Sequence, residues 1–495
     1  MAVWIVLGVY VTLMAIVGFV SFRKADSLTA FVVGSRSAGP WMSAFGYGTT
    51  YFSAVLFIGY AGNSGFNFGL FAILIGVGNA VLGAWLAWKV LAKPTRDVTR
   101  RLKIKTMPQF FEARYGSEKM KLYCAVITFI FMVPYSASVY SGLSYLCESV
   151  LGIPYQTAMI AIAVVAAVYL VLGGYIATLL ADFIQGIVMI VGVAAMIFFI
   201  TRSQQVGGLA NGLSRLWDNM SQTEGMFTVN TAISVISLIL LTSIGTWGMP
   251  QMVHKFYAIK DEKSVKSGTV ISTFFCGLVS CGAYYIGSLS RLFYDGVPTL
   301  NGKPNYDLII PGILVQALPA ILLGVVLVLV LSASVSTLSG ITLTSCSTFS
   351  MDLIAHFVPA FQDRKKTLTL TRVLCLLFIA ASFIIASFKS PILTLMSFSW
   401  GTITGAFLPP YMLGLYWKGM NRVGAWCSLI GGVAVSLTLA FVTGFQSSLA
   451  PTLGVITMLC SFGFGFAGSK LSKNKASLKD TAKATEHFFD KSYSL

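Results

Sequence analysis

Apolar stretches of about 20 residues, each long enough for one bilayer crossing, recur from one end of this chain to the other. Within lipid every backbone N–H and C=O must find its partner inside the protein, so only helices and closed barrels can span. A barrel would show short alternating strands. These runs are instead continuous and rich in Leu, Ile, Val, Ala and Gly, and only 10% of the residues are charged. The chain therefore reads as an all-α polytopic membrane protein. Thirteen spans are predicted, at 2–21, 41–62, 66–91, 121–148, 156–174, 178–201, 229–253, 268–290, 310–350, 370–388, 391–415, 424–443 and 451–468.

A net charge of +17 raises the question of a nucleic-acid partner. Threading through the bilayer answers it. With the N-terminus outside, the loops at 22–40, 92–120, 254–267, 351–369 and 416–423 and the tail from 469 face inward. All but five of the 34 Lys and Arg fall in those regions or at their helix ends, the exceptions being Arg202, Arg215, Arg291, Lys303 and Lys389. Such a bias orients a membrane protein with its basic loops in the cytoplasm, so the charge reports topology. The sequence points to a multi-pass protein of the cell membrane with a cytoplasmic C-terminus.

Eight cysteines are scattered through apolar segments without metal-ligand spacing and read as small buried hydrophobes. The first span lacks a basic leader and precedes Arg23 and Lys24, as an uncleaved first helix would. The polar, basic tail at 469–495 reads as disordered or lying on the inner membrane surface.

Two spans are interrupted at corresponding places. SAFGYGTTYFSAVLFIGYAG (43–62) carries Gly46, Gly48 and a polar TTY run at its centre, and LTSIGTWGMPQ (241–251) carries Gly245, Gly248 and Pro250. Five spans separate one break from the next, counted inclusively, the spacing of two inverted five-helix repeats. Paired breaks of this kind mark the central site of a transporter, or else packing kinks. The organisation follows: a first helix and loop (1–40), one repeat (41–201), an outer loop (202–228), a second repeat (229–415), two further spans (416–468) and the tail (469–495).

Of 17 acidic residues, Asp182 alone sits well inside a span. A carboxylate there implies a cation or proton as partner, or a protonated acid bonded within the bundle. The segment LSASVSTLSGITLTSCSTFS (331–350) adds a run of hydroxyls without a charge. Ala333, Ser336 and Thr337 share one helical face, and Ser332, Ser336 and Ser339 an adjoining one. Such oxygens suit a hard monovalent cation, or bond their own i−4 carbonyls. The latter reading is preferred for Ser345, Ser347, Thr348 and Ser350.

In order and spacing, VVGSRSAGPW, TTYFSAVLFIGYAG, KTMPQFFEARYGS, GGYIATLLADFIQ, GMPQMVHKFYAIKD, the hydroxyl run and WGTITGAFLPPYMLGLYWKGMNRVGAW resemble the sodium/solute symporter family, over residues 5 to 470. The resemblance implies inverted repeats of the leucine-transporter type, alternating access, and a principal sodium site between spans 2 and 9. Carried over by position, Thr49, Phe52 and Ala333 would supply carbonyls to it, and Ser336 and Thr337 side-chain oxygens. Some members have a second sodium site, matched here by Asp182, Ser336 and Ser339, although Gly340 stands where those members carry another hydroxyl. Proline carriers place an aspartate in the first break, where this chain has Tyr51.

The resemblance places the solute between the two breaks, with Tyr51, Ser53, Thr246 and Trp247 as first candidates and Ser399, Trp400 and Thr402 in span 11. Asn79 and Tyr135 read as packing. Sialic acid carriers use an arginine in the region matching 121–148, but no Lys or Arg lies between Lys121 and Arg202 here. A small amino acid such as proline, or a monocarboxylate, is the leading expectation, with a neutral sugar second. An enzyme is disfavoured because His254, His356 and His487 lie at or beyond the inner face and no acid–base constellation surrounds Asp182. A channel would need a lined pore, usually shared among subunits; a single chain is expected to suffice for sodium-coupled transport. A solute-sensing carrier homologue is the other alternative.

Overall fold

The computed structural model describes residues 2–22, 32, 36–472 and 475–490. Nearly all of it is helical: α1 (Ala2–Phe22), α2 (Pro40–Tyr51), α3 (Ala61–Phe68), α4 (Ala72–Gly78), α5 (Lys93–Arg101), α6 (Met107–Tyr115), α7 (Glu118–Leu151), α8 (Tyr155–Thr201), α9 (Leu209–Gln222), α10 (Val229–Ile239), α11 (Pro250–Tyr257), α12 (Glu262–Leu289), α13 (Ile309–Ala317), α14 (Ala320–Thr348), α15 (Arg364–Ser387), α16 (Ile392–Tyr416), α17 (Arg422–Val442), α18 (Ala450–Leu471) and α19 (Lys475–Phe489). The sole described sheet is a two-residue hairpin, Thr299–Leu300 with Lys303–Pro304. Ten of the described helical stretches are long and apolar enough to cross a membrane, and three shorter apolar helices accompany them, so helix length alone does not return thirteen crossings.

The interior is polar as well as apolar. Side chains such as Val9, Val270, Phe274 and Leu459 point outward, whereas α14 buries every hydroxyl from Ser332 to Thr348. This distribution suits lipid outside and a functional seam within. Helix α14 packs against α2, α7 and α8 at the centre of the bundle, and α1 covers the α8–α14 pair through Tyr10 and Met14.

Both expected breaks are present. Helix α2 ends at Tyr51, Phe52 is extended (φ −111°, ψ 132°), and a wide π turn from Val55 to Tyr60 leads into α3. In the second repeat, α10 runs through a π turn (Leu240–Ile244) and a 3-10 turn (Gly245–Gly248) to an extended Met249, after which Pro250 starts α11. Proline at the first position costs no hydrogen bond, because that N–H has no intrahelical partner.

Four boundaries differ from those expected. The span at 310–350 is two helices, because Pro319 cannot donate and holds Leu318 extended (φ −111°, ψ 136°). Helical bonding continues through 175–177, so the spans at 156–174 and 178–201 form one run, α8. A straight helix of 47 residues would reach about 70 Å, twice a bilayer core of about 30 Å. Its ends nevertheless share a face. Tyr155 contacts Tyr145, which Asn305 reaches, while Thr201 bonds Tyr285, near Arg291, whose guanidinium donates to Phe66 O; Tyr306, next to Asn305, donates to Asn67 beside Phe66.

The third difference lies at 254–267, expected as an inward loop: residues 254–257 belong to α11 and are buried. The fourth is the tail. Residues 475–489 form α19, which docks on the protein with Phe488 buried against Phe110, while Arg114 donates to Thr485 Oγ1 and Arg101 to the Phe488 and Asp490 carbonyls. Two adjacent phenylalanines and guanidinium donors on the facing surface supply what a charge-based reading of the tail leaves out.

Candidate functional site

The first break leaves carbonyls without their usual helical partners. The Thr50 carbonyl would normally accept from Ala54 N–H, but that amide donates instead to Ser334 Oγ on α14 (3.1 Å). The break is thereby stitched to the hydroxyl-rich helix opposite. Thr337 Oγ1 projects from α14 into the gap, 3.2 Å from both the Thr49 and Thr50 carbonyl oxygens, 3.5 Å from that of Phe52 and 3.0 Å from that of Ala333. Ser336 Oγ lies 3.0 Å from Thr49 Oγ1. All five residues expected at the principal ion site thus converge, and Thr50 joins them.

The spacing has chemical meaning. Oxygens that bind a hard cation at about 2.3–2.6 Å lie about 3.3–3.7 Å apart in an octahedral shell. The oxygens around Thr337 need open by only a few tenths of an ångström to accept such an ion.

Next to this pocket lies a second polar cluster. Ser336 Oγ donates to Asp182 Oδ1 (2.5 Å), and Lys255 Nζ on α11 is 2.8 Å from Asp182 Oδ2. Neither charged side chain reaches solvent appreciably: exposure is 0% for Asp182 and 4% for Lys255. The single Ser336 proton has two acceptors within reach, Asp182 Oδ1 and Thr49 Oγ1, while Thr49 Oγ1 donates to Phe45 O (2.8 Å). A Cβ at residue 46 would come within 3.2 Å of Asp182 Oδ2 and 3.7 Å of Lys255 Nζ, so glycine makes room for the pair beside α2. Of the other residues expected at a second ion site, Ser339 turns away and donates to its own i−4 carbonyl, Val335 O. At Gly340 an added Cβ would press on Thr50 Cγ2 at 3.2 Å.

Between the two breaks is a cavity of about 20 Å³, lined among others by Tyr51, Ser53, Tyr60, Asn79, Thr242 and Trp400. That volume suits about one water. Asn79 Oδ1 is its hub: it accepts from Tyr51 OH (3.2 Å), Thr242 Oγ1 (2.9 Å) and Ser243 Oγ (3.0 Å), and Tyr51 OH also donates to Thr242 O (2.5 Å). These bonds tie the first break to the second.

The remaining expected solute contacts are elsewhere. Thr246 donates to Ser243 O, Trp247 Nε1 to Leu82 O, and Ser399 Oγ to Phe131 O, while Thr402 pairs with Ser436. Tyr135 packs edge-on against Trp400, in keeping with its reading as packing. Asn79 was read the same way, but its side chain faces the cavity. Its signal is an amide in an apolar span; its hydroxyl partners, Tyr51 and the adjacent Thr242 and Ser243, lie far from it in sequence.

One face of the bundle is closed by backbone pairing between residues 36–40 and 258–260. Ala38 N–H donates to Ala258 O (3.0 Å), and Lys260 N–H to Ala38 O (2.9 Å). Three arginines reinforce it: Arg36 reaches Thr99 and Ile104 carbonyls, Arg96 those of Ile259 and Lys260, and Arg100 those of Arg36 and Ile259.

Two broken helices, a central pocket and a closed basic face are the parts of a carrier. The sequence matches the sodium:solute symporter family over residues 31–432. The chain belongs to that family. It is 28% identical over 481 residues to a sodium/pantothenate symporter of Haemophilus influenzae, covering 94% of this chain and 96% of that one. It is also 28% identical over 462 residues to the osmoregulated proline transporter OpuE of Bacillus subtilis, with 92% and 91% covered. Its fold matches a sodium-coupled sialic acid symporter solved substrate-bound and outward-open, with a TM-score of 0.77 at 16% identity, covering 96% of this chain and 98% of the other. This symporter is thus a helical transporter of the leucine-transporter fold and not an enzyme.

Proposed function

We propose that this symporter takes up a small amino acid such as proline, or a monocarboxylate, driven by one or more sodium ions bound between the first break and α14. The observation that carries the reading is the convergence of the Thr49, Phe52 and Ala333 carbonyls on the Thr337 hydroxyl, with Ser336 Oγ beside them on Thr49 Oγ1. Neutral oxygens balance one positive charge well and release it when the break shifts away from α14. The basic face, closed by Arg36, Arg96 and Arg100, is the cytoplasmic one by the positive-inside rule, which puts the N-terminus outside in the cell membrane. One sodium moving inward then contributes about 2.3 kcal/mol per 100 mV.

For the solute, hydroxyl and aromatic groups line the cavity and no Lys or Arg does. Alternating access would open one face at a time: entry needs the Tyr51–Asn79–Thr242 bridge to part, and exit needs the 36–40 and 258–260 segments to separate. A single chain contains all of these parts.

Uptake into proteoliposomes of proline, other amino acids, pantothenate, short monocarboxylates and hexoses, with sodium or choline outside, tests the reading. Proline or a monocarboxylate should accumulate above equilibrium only with sodium. Accumulation of a hexose alone would overturn the solute assignment, and equal accumulation in choline would overturn the coupling.

A further inference from the structure

The Asp182–Lys255 pair is not used by the transport scheme above, yet it stands directly beside the ion pocket. Asp182 is fully buried, with one oxygen taken by the Ser336 hydroxyl at 2.5 Å and the other by the Lys255 ammonium at 2.8 Å. That second contact occupies the side of the carboxylate where a free cation would otherwise bind. A sodium ion at ligand distance from Asp182 Oδ2 would have to share that space with the ammonium, and two positive charges so close in a low-dielectric interior repel strongly.

The surroundings agree. With the ammonium on Asp182, Ser339 donates to its own i−4 carbonyl, Val335 O, a local bond that a cation at Asp182 would replace. Gly46 leaves open the space into which the ammonium reaches. Lys255 comes from α11, just beyond the second break, whereas Asp182 and Ser336 belong to α8 and α14. The ammonium therefore links a broken helix to the helices that hold the ion pocket.

We propose that Lys255 is a tethered cation filling the second cation position of this symporter, so that the protein binds one free sodium ion rather than two. The inference rests on the reading of the Thr49, Ser336 and Thr337 pocket as the sodium site. In its physical sense, the ammonium keeps Asp182 neutralised throughout the cycle without an ion that must enter and leave. Asp182 in turn accepts from Ser336 Oγ and so anchors this hydroxyl beside the sodium pocket. Asp182 and Lys255 are positioning residues, and the number of free ions is their readout.

Saturation binding of radioactive sodium to the purified full-length chain in nanodiscs, with choline as the replacement ion, counts the sites without any solute. One sodium should bind per wild-type chain and per Lys255→Arg chain. Lys255→Ala should expose a second site, raising the count to two, and adding Asp182→Asn should return it to one. Two sites in the wild type or in Lys255→Arg would overturn the proposal while leaving the sodium pocket intact, and neither measurement depends on tolerance of the alanine change. A single site in folded Lys255→Ala would overturn it equally. No binding in the wild type would remove the sodium reading itself, and this proposal with it.

Discussion

Replacing Thr337 by valine removes one oxygen from the centre of the proposed ion pocket and little else. The side chain is fully buried, and valine keeps its branching and nearly its volume. Its hydroxyl oxygen has four carbonyl oxygens within 3.5 Å, from Thr49, Thr50, Phe52 and Ala333. In the variant those carbonyls face a methyl group, and a bound sodium loses one ligand. A lost buried polar partner costs about 1–3 kcal/mol. At about 1.4 kcal/mol per factor of ten, sodium affinity should fall about 5- to 150-fold. Thr337→Ser keeps the oxygen and should stay close to wild type. The assay is solute uptake as a function of external sodium in proteoliposomes, with the solute KM measured at saturating sodium as a control. A Thr337→Val activation curve within about twofold of wild type, a shift of about 0.4 kcal/mol, would refute the reasoning. So would a serine variant as impaired as the valine one, since the oxygen would then not be what matters.

Other perturbations separate the remaining parts. Asn79→Leu takes the shared acceptor from Tyr51, Thr242 and Ser243 and should cost about 1–3 kcal/mol, seen as a lower thermal unfolding midpoint with a raised solute KM; no change in either would show that the hub carries no strain. Tyr51→Phe breaks the bond to Thr242 O that must part for entry and should speed solute uptake while leaving sodium binding intact, whereas lost sodium binding would move Tyr51 into the proposed ion pocket. Arg100→Ala removes donors to the Arg36 and Ile259 carbonyls, so hydrogen exchange should quicken at 36–40 and 258–260; unchanged protection would mean that the backbone pairing closes this face unaided. Phe488→Ala should cost about 3–5 kcal/mol of α19 docking, read as faster exchange across 475–489, and persistent protection there would contradict the packing.

The cluster of oxygens around Thr337, the proposed ion pocket, is the most legible part of the chain, because its signals are local. A TTYF break in one apolar run and a Ser–Thr pair on one face of another mark its two walls, and the resemblance supplied the pairing. Lys255 was illegible for the opposite reason. It lies in HKFYAIK, where a basic residue near a span end satisfies the orientation rule, and only the short helix after Pro250 turns it inward to Asp182. Asn79 gave a weak signal, since amides in membrane helices often serve packing. The joined run of α8 and the split at Pro319 show a further limit. Hydropathy counts apolar residues, but it does not report where the backbone keeps or loses its hydrogen bonds.

The central claim is that the Ser336–Thr337 pocket carries the coupling ion. Its most direct test is radioactive sodium entry into proteoliposomes, measured with and without the solute that the uptake panel identifies. For the wild type, solute should accelerate sodium entry; in the Ser336→Ala, Thr337→Val double variant, reconstituted to the same density, that acceleration should vanish. Undiminished solute-driven sodium entry in the double variant would contradict the account.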